Sequence, residues 1–346
     1  MERPISLRSA IIAATAVVAL CLTACGSSAT SEADSDTKSI TVYSGRAEKL
    51  VQPLLDEFTK QTGIQVKARF GDTGELAAQI ITERAASKAD VFFSQDAGAL
   101  GAVSDAGQLS KLPAATLDRV PERFRSTKDE WVGTSARARA LVYDPAQVSD
   151  PPTGIDGLLR PEWAGKIGFG PTNASWQSFV TGLRVLRGDD KARTWLEDFA
   201  ALDPKPYENN KAILDAVNAG EVAIGLINHY YLFAKIKAEG ADKVTAKLQF
   251  LGGGDPGGLI NTAGIGIVSS TKKTKEAEQF IDFMVSETGQ RYFADKVFEY
   301  PTVESVPANE AVPPLATLDA PAIDLSDLRS VRETQQMLSD VGLLTK

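Results

Sequence analysis

Apolar positions recur along this chain with two different periods, and the alternation between them sets out the fold. Ile40-Thr-Val-Tyr43 reads as a strand and Ser44-Gly45-Arg46 as a turn, and Leu50, Val51, Leu54, Leu55 and Phe58 then share one face of a helix that stops at Gly63, since residues three and four apart lie on the same helix face. A strand over 64–70, a helix over 75–86 and a strand over 90–94 come next. This β-α-β-α-β order predicts a mostly parallel sheet with helices on its faces. Ligands of such sheets sit beyond the carboxyl ends of strands, and Tyr43 and Ser44 occupy such an end. Further on, the pattern predicts a strand over 137–143 before a Pro- and Gly-rich stretch, an apolar helix over 179–186, and a buried strand over 222–227. Asn228 is then expected as an N-cap, with a helix over 230–239 and a strand over 263–268. Gly252-Gly-Gly-Asp-Pro-Gly257 formally fits a dinucleotide-binding glycine motif, but Pro256 interrupts it and no helix comes after it, so it reads as a loop.

The amino terminus has a separate logic. Residues 1–24 carry Arg3 and Arg8 against Glu2, then an apolar run from Ala10 to Leu22, the layout of a secretory signal. At about 13 residues the run is too short for a transmembrane helix, which needs ~20. It ends in Leu22-Thr23-Ala24-Cys25-Gly26, which resembles the lipobox of bacterial lipoproteins. Cys25 is therefore expected to be lipidated and to hold the protein at the outer face of the cell membrane, its only membrane contact. Residues 27–37 are small, polar and acidic and read as a flexible tether.

Composition narrows the chemistry. With 346 residues, 43% hydrophobic and 24% charged, the chain can bury a large core in two domains or lobes. Loss of the leader removes Cys21 and leaves Cys25 as the single cysteine, so there is no internal disulfide and no free catalytic thiol. Removing Glu2, Arg3 and Arg8 from totals of 45 acidic and 37 basic residues leaves 44 and 35, a charge of −9 without a long basic run. Nucleic acid is not expected as a partner. The only histidine, His229, excludes a His-rich zinc site and would have to serve any Ser-His-Asp triad alone. No Walker sequence is present.

The stretch Asn228-His229-Tyr230-Tyr231 gathers that histidine with two of the seven tyrosines. Phenolate oxygen is a hard anionic ligand suited to hard, highly charged cations, ferric iron above all. A phenol titrates near ~10 in water, but a nearby multivalent cation favours its charged form. Neighbours on a helix sit about 100° apart, so both rings could line one cleft from a first helical turn, where the positive helix end also favours phenolate. The same pair also reads as ordinary aromatics at a strand-helix junction, and the dipeptide alone does not choose.

Several segments taken together decide more. Ile40-Thr-Val-Tyr-Ser-Gly-Arg46, Ala89-Asp-Val-Phe-Phe93, Arg137-Ala-Arg-Ala-Leu-Val-Tyr143, Pro171-Thr-Asn-Ala-Ser-Trp176, Asn228-His-Tyr-Tyr231, Gly254-Asp-Pro-Gly257 and Glu299-Tyr-Pro301 resemble the ferric-iron-binding substrate-binding lipoproteins of bacterial ABC iron importers. The resemblance implies an α/β fold, the two-lobed type II periplasmic-binding-protein fold, with a ligand cleft between lobes. It places 39–136 with 262–310 in the first lobe and 137–261 with 311–346 in the second, after the signal at 1–24 and the anchor and tether at 25–38. It implies a non-enzymatic monomer that captures ferric iron and delivers it to a permease and its ATPase subunit.

Within the resemblance, Tyr230 and Tyr231 match iron ligands, Tyr143 a third phenolate, and Tyr43 a position that some members use. Ala47 stands where other members have a histidine, and the family's acidic ligand does not align cleanly with Asp72 or Glu75; Glu75 suits the start of its helix instead. Members complete the iron shell with carbonate, phosphate or a similar anion. Thr172, Asn173 and Ser175 ahead of an apolar helix are suited to hold one; Asn209 and Asn228 match polar anion contacts, and Arg137 or Arg139 could add a bidentate charge. His229 reads as a neighbour of the ligands. The competing readings are another solute on the same fold, a polyamine, sugar or phosphonate, and a lipid-anchored hydrolase.

Overall fold

The computed structural model describes residues 38–344. The leader, Cys25 and nearly all of the expected tether lie outside them. Within one compact unit, Thr37–Lys346, the chain runs β1 (Ser39–Ser44), α1 (Glu48–Thr62), β2 (Gln65–Phe70), α2 (Thr73–Glu83), β3 (Val91–Ser94), α3 (Ala97–Asp105), α4 (Ala114–Leu117) and β4 (Val132–Tyr143). It continues through β5 (Ile167–Phe169), α5 (Ala174–Arg187), α6 (Asp189–Ala201), β6 (Lys205–Pro206), α7 (Asn210–Asn218), β7 (Ile224–Asn228), α8 (Tyr230–Glu239), β8 (Lys247–Gln249) and β9 (Ile260–Ile267). Helices α9 (Thr274–Met284), α10 (Glu287–Tyr292) and α11 (Val331–Asp340) end it.

The helix expected to stop at Gly63 does so, with Gly63 at φ 73° in the left-handed region, where a residue without Cβ costs least. The helix expected from Glu75 begins two residues earlier, because Asp72 accepts hydrogen bonds from the N–H groups of Gly74 and Glu75 and is its N-cap. The strand expected over 137–143 extends back to Val132.

Strand order is β2-β1-β3-β9-β4-β7-β5-β6, with β8 pairing β4 beside this path. Parallel pairing joins β1 to β2 and β3, and β5 to β6 and β7. Among the described residues every antiparallel pairing between named strands involves β4 or β9, the two strands that link the parallel groups. β4 pairs with β9 through Ala138 and with β7 from Arg139 onward, so one strand serves two sheets in succession.

Two main cores result. One is built on β1, β3, the start of β4 and β9, with Phe58, Phe92, Phe93 and Phe280 fully buried in it. The other holds Phe169, Trp176, Phe179, Trp195 and Phe199, where Trp195 stacks on Phe199 at 5.1 Å and Phe199 meets Phe169 edge-on at 5.6 Å. A smaller cluster under α7 includes Ile213, Val217, Ile227 and Leu232. The C-terminal segment touches both main cores: Val312, Leu318, Leu325 and Leu328 pack in the first, Met337, Leu338 and Leu343 in the second. Among the described residues no helix is long and apolar enough to cross a membrane.

Phe199 is fully buried between three aromatic partners, so Phe199→Ala is expected to cost about 3–5 kcal/mol of stability. Denaturant unfolding would measure this; a loss below ~1 kcal/mol would mean that the cluster repacks around the gap.

Candidate metal and anion site

The tyrosine pair stands where β7 gives way to α8. Asn228, expected as the N-cap, is instead the last residue of β7, registered opposite Arg139. The position before the helix belongs to His229, which makes no side-chain capping bond. Tyr230 and Tyr231 are then the first two residues of α8, and their rings stack at 4.4 Å between centroids with 26° between planes. Tyr230 is buried and Tyr231 partly exposed. Burial holds the Tyr230 phenol well above the ordinary range, with Tyr231 and Glu299 adding to the effect and Arg46 and Arg137 opposing it.

Behind the pair, β4 carries Arg137 and Arg139 across the point where it changes sheets. Both are buried. Arg139 donates to Asn210 Oδ1 at 3.2 Å, Asn228 Oδ1 at 3.3 Å and the Leu226 carbonyl at 3.0 Å. Ser175 Oγ receives the amides of Asn210 and Asn228, each at 3.2 Å, and Asn173 caps α5 through Ser175 N–H at 3.0 Å. Burial pulls the Arg139 guanidinium down to about 9, which leaves it cationic at neutral pH. Arg137 donates to the Gln95 carbonyl.

The opposite wall is made by the turn after β1. Arg46 is fully buried, donating to Glu299 Oε2 at 2.8 Å and Gln95 Oε1 at 2.8 Å, and Glu299 is held by Ser135 Oγ. Of the three buried guanidiniums, Arg46 is paired with Glu299, Arg137 lies near both Glu299 and the buried Asp96, and Arg139 has neutral partners. Among the described residues, Arg46 Nε, Arg137 Nη1 and Arg139 Nε have no hydrogen-bond partner, and buried unpaired donors of this kind favour an incoming acceptor.

A cleft of about 660 Å³ lies between these walls. Ala47 and Lys49 of α1, Asp72 and Thr73 of α2, Asn173 and Ser175 of α5, Lys211 of α7, and Tyr230 and Tyr231 of α8 all line it, and each stands within the first turn or cap of its helix. Five positive helix ends converge on one space, an arrangement suited to anions. Among the described residues no group of three or more His, Cys, Asp or Glu side chains is placed to hold a metal ion; the hard oxygen donors lining the cleft are the two phenols and the carboxylates of Asp72, which caps α2, and Glu208.

The structure gathers Tyr230, Tyr231, Arg139, Thr172, Asn173, Ser175 and Asn228 at or just behind the cleft, with Arg137 alongside. It does not bring Tyr143 there. Antiparallel pairing puts Tyr143 opposite Ile224, four residues up β7 from Asn228, about 14 Å away at ~3.4 Å per residue, and its ring packs on the second core. Tyr43 is also absent from the lining: it is buried in the first core, under the Arg69 guanidinium at 5.1 Å and within 3.4 Å of Gln79 Nε2. Asn209 caps α7 through Ala212 N–H, and its neighbour Asn210 is the one that joins the buried network.

His229 is fully buried, with its imidazole pushed down to about 4 by burial. Arg46, Gln95, Asn210 and Glu299 join the site beyond the residues that the sequence points to. Arg46 was findable, because it stands just past a parallel strand's carboxyl end. Glu299 lies 253 residues from its partner and left no local sign.

Comparison with known proteins agrees with this architecture. Residues 86–326 match the family described as bacterial extracellular solute-binding protein. An Fe(3+)-binding periplasmic protein of Serratia marcescens is 34% identical over 90% of this chain and 93% of its own length. Iron-bound HitA from Pseudomonas aeruginosa superposes with a TM-score of 0.84 at 35% identity, covering 88% of this chain and 99% of that one. The IdiA (FutA) protein of Trichodesmium, in complex with iron and citrate ligands, gives 0.75 at 30% identity with coverages of 88% and 99%. The fold, the cleft and these likenesses agree: the chain belongs to the bacterial extracellular solute-binding protein family.

Proposed function

We propose that this protein captures ferric iron outside the cytoplasmic membrane and delivers it to an ABC permease driven by a separate ATPase subunit. The observation that carries the reading is the stacked Tyr230–Tyr231 pair at the head of α8, opening on a cleft ringed by helix amino termini and backed by Arg139. Relatives named for ferric iron binding support the same cargo. The two phenolates hold the metal, and an oxyanion, carbonate, phosphate or citrate in kind, completes its shell against Ser175, Asn173, Asn210, Asn228 and the arginines. Thr172 at the rim and Asn209 beside Asn210 are secondary contacts. No catalytic step is involved.

The two cores act as lobes, with the C-terminal segment shared between them rather than confined to the second, and closure over iron is favoured to the extent that iron contacts both walls in the closed state alone. The protein works as a monomer, anchored through lipid on Cys25.

Tyr230→Phe and Tyr231→Phe keep the ring and remove the ligand oxygen. Each is expected to fold normally and to lose most of its iron affinity and the visible phenolate-to-iron absorbance. Wild-type iron content in both variants under competing citrate would sink the assignment.

Tyr143→Phe, in contrast, is expected to leave iron affinity within about twofold of wild type, since the strand places that ring on the second core. Citrate competition on purified protein measures it. Cys25→Ser is expected to release the protein from membranes, one residue carrying the lipid; association that survives a high-salt wash would point to another membrane contact.

A further inference from the structure

His229 is not needed as a ligand, yet its side chain is among the most constrained near the site. Its Nδ1 accepts from Ala138 N–H at 3.2 Å, so the ring hydrogen sits on Nε2, which donates to the Phe298 carbonyl at 2.8 Å. Its own N–H donates to the Ala138 carbonyl at 3.0 Å, and its ring stacks on Tyr300 at 4.7 Å. Ala138 is the last β4 residue paired with β9. Phe298 comes directly after a π-helical turn, Phe293–Val297, and sits at φ 65°, ψ 23°, a region a bulky side chain seldom adopts without surrounding constraint.

The neighbours of the two bonded residues give this contact its meaning. Next to Phe298 stands Glu299, the carboxylate that holds Arg46 in the opposite wall, and next to His229 stands Tyr230. The imidazole thus connects the two walls through one side chain: Tyr230 and Tyr231 on one, Glu299 and Arg46 on the other. We propose that His229 is a positioning residue for the site, whose bond from Nε2 to the Phe298 carbonyl sets the tyrosine pair in register with the Arg46–Glu299 wall.

The two imidazole bonds can be separated by substitution. Gln at 229 reaches the Nε2 position and can donate to Phe298 but gives up the bond from Ala138; Asn accepts from Ala138 but falls short of Phe298. His229→Gln, His229→Asn and His229→Leu would be compared by amide exchange at residues 230–233 in metal-free protein and by the rate of iron release to citrate. The inference rests on the ferric reading for the second measurement only.

Gln is expected to stay within about threefold of wild type in both measurements, and Asn and Leu to be faster by roughly tenfold, the scale of one buried hydrogen bond. A residue that merely fills the core would make Gln and Asn alike, and that result, or unchanged exchange and release in Leu, would overturn the proposal. If Leu does not fold, the Gln and Asn pair decides. Absence of iron binding by the wild type would end the ferric reading, while the exchange comparison would still decide the role of His229.

Discussion

The change of partners along β4 is the constraint on which the rest of the site depends. Up to Ala138 the strand belongs to one sheet, and from Arg139 it belongs to another. A strand that leaves one neighbour for another opens a gap between sheets at the switch, and ligands of α/β proteins collect at such points. Arg137 and Arg139 straddle the switch and point to the same side, since side chains two apart share a strand face. Positive charge therefore stands just behind the gap by backbone geometry alone, and the helix ends that come after β1, β2, β5, β6 and β7 line the gap itself.

Burying that charge is costly, and the cost shapes the surroundings. Removing an ion from water costs several kcal/mol unless partners compensate, and Glu299 serves directly only Arg46. Arg139 relies on neutral acceptors, two asparagine oxygens and a carbonyl. Those asparagines are in turn fixed by Ser175. Arg139 is thus held by neutral partners alone, and an anionic cargo or a pair of phenolates would supply the negative charge they lack.

The parts of this structure that were legible in the sequence are those whose causes are local. Apolar periodicity gave β1, α1 and the junction before α8, and Gly63 marked a real helix end. Most departures from the sequence expectation share a cause, a partner far away in sequence. Asn228 looks like a cap until the Arg139 guanidinium draws its oxygen. Tyr143 ends a strand, as a ligand should, but antiparallel pairing sends that end away from the cleft. Tyr43 sits at a correct strand end yet turns into the core, so that Arg46, three residues on, reaches the wall. Asn209 and Asn210 are chemically identical, and only the helix start decides which one caps.

The donor set also bears on which cation the proposed site accepts. There is no cluster of three or more histidine, cysteine or carboxylate ligands among the described residues, and a metal held as proposed would have to deprotonate phenols to bind. At pH 7 an ordinary phenol costs ~4 kcal/mol to ionise, and burial raises the cost further at Tyr230. Arg46 and Arg137 offset part of that increment. A weakly Lewis-acidic divalent ion such as magnesium dehydrates reluctantly and favours carboxylates and water, so it recovers little of this cost. In the proposed site a trivalent hard ion would recover it through bonds to phenolate oxygen, and its charge would attract an anion toward the helix ends and Arg139. Selectivity then comes from the ionisation cost itself, which only the most strongly polarising cation can overcome.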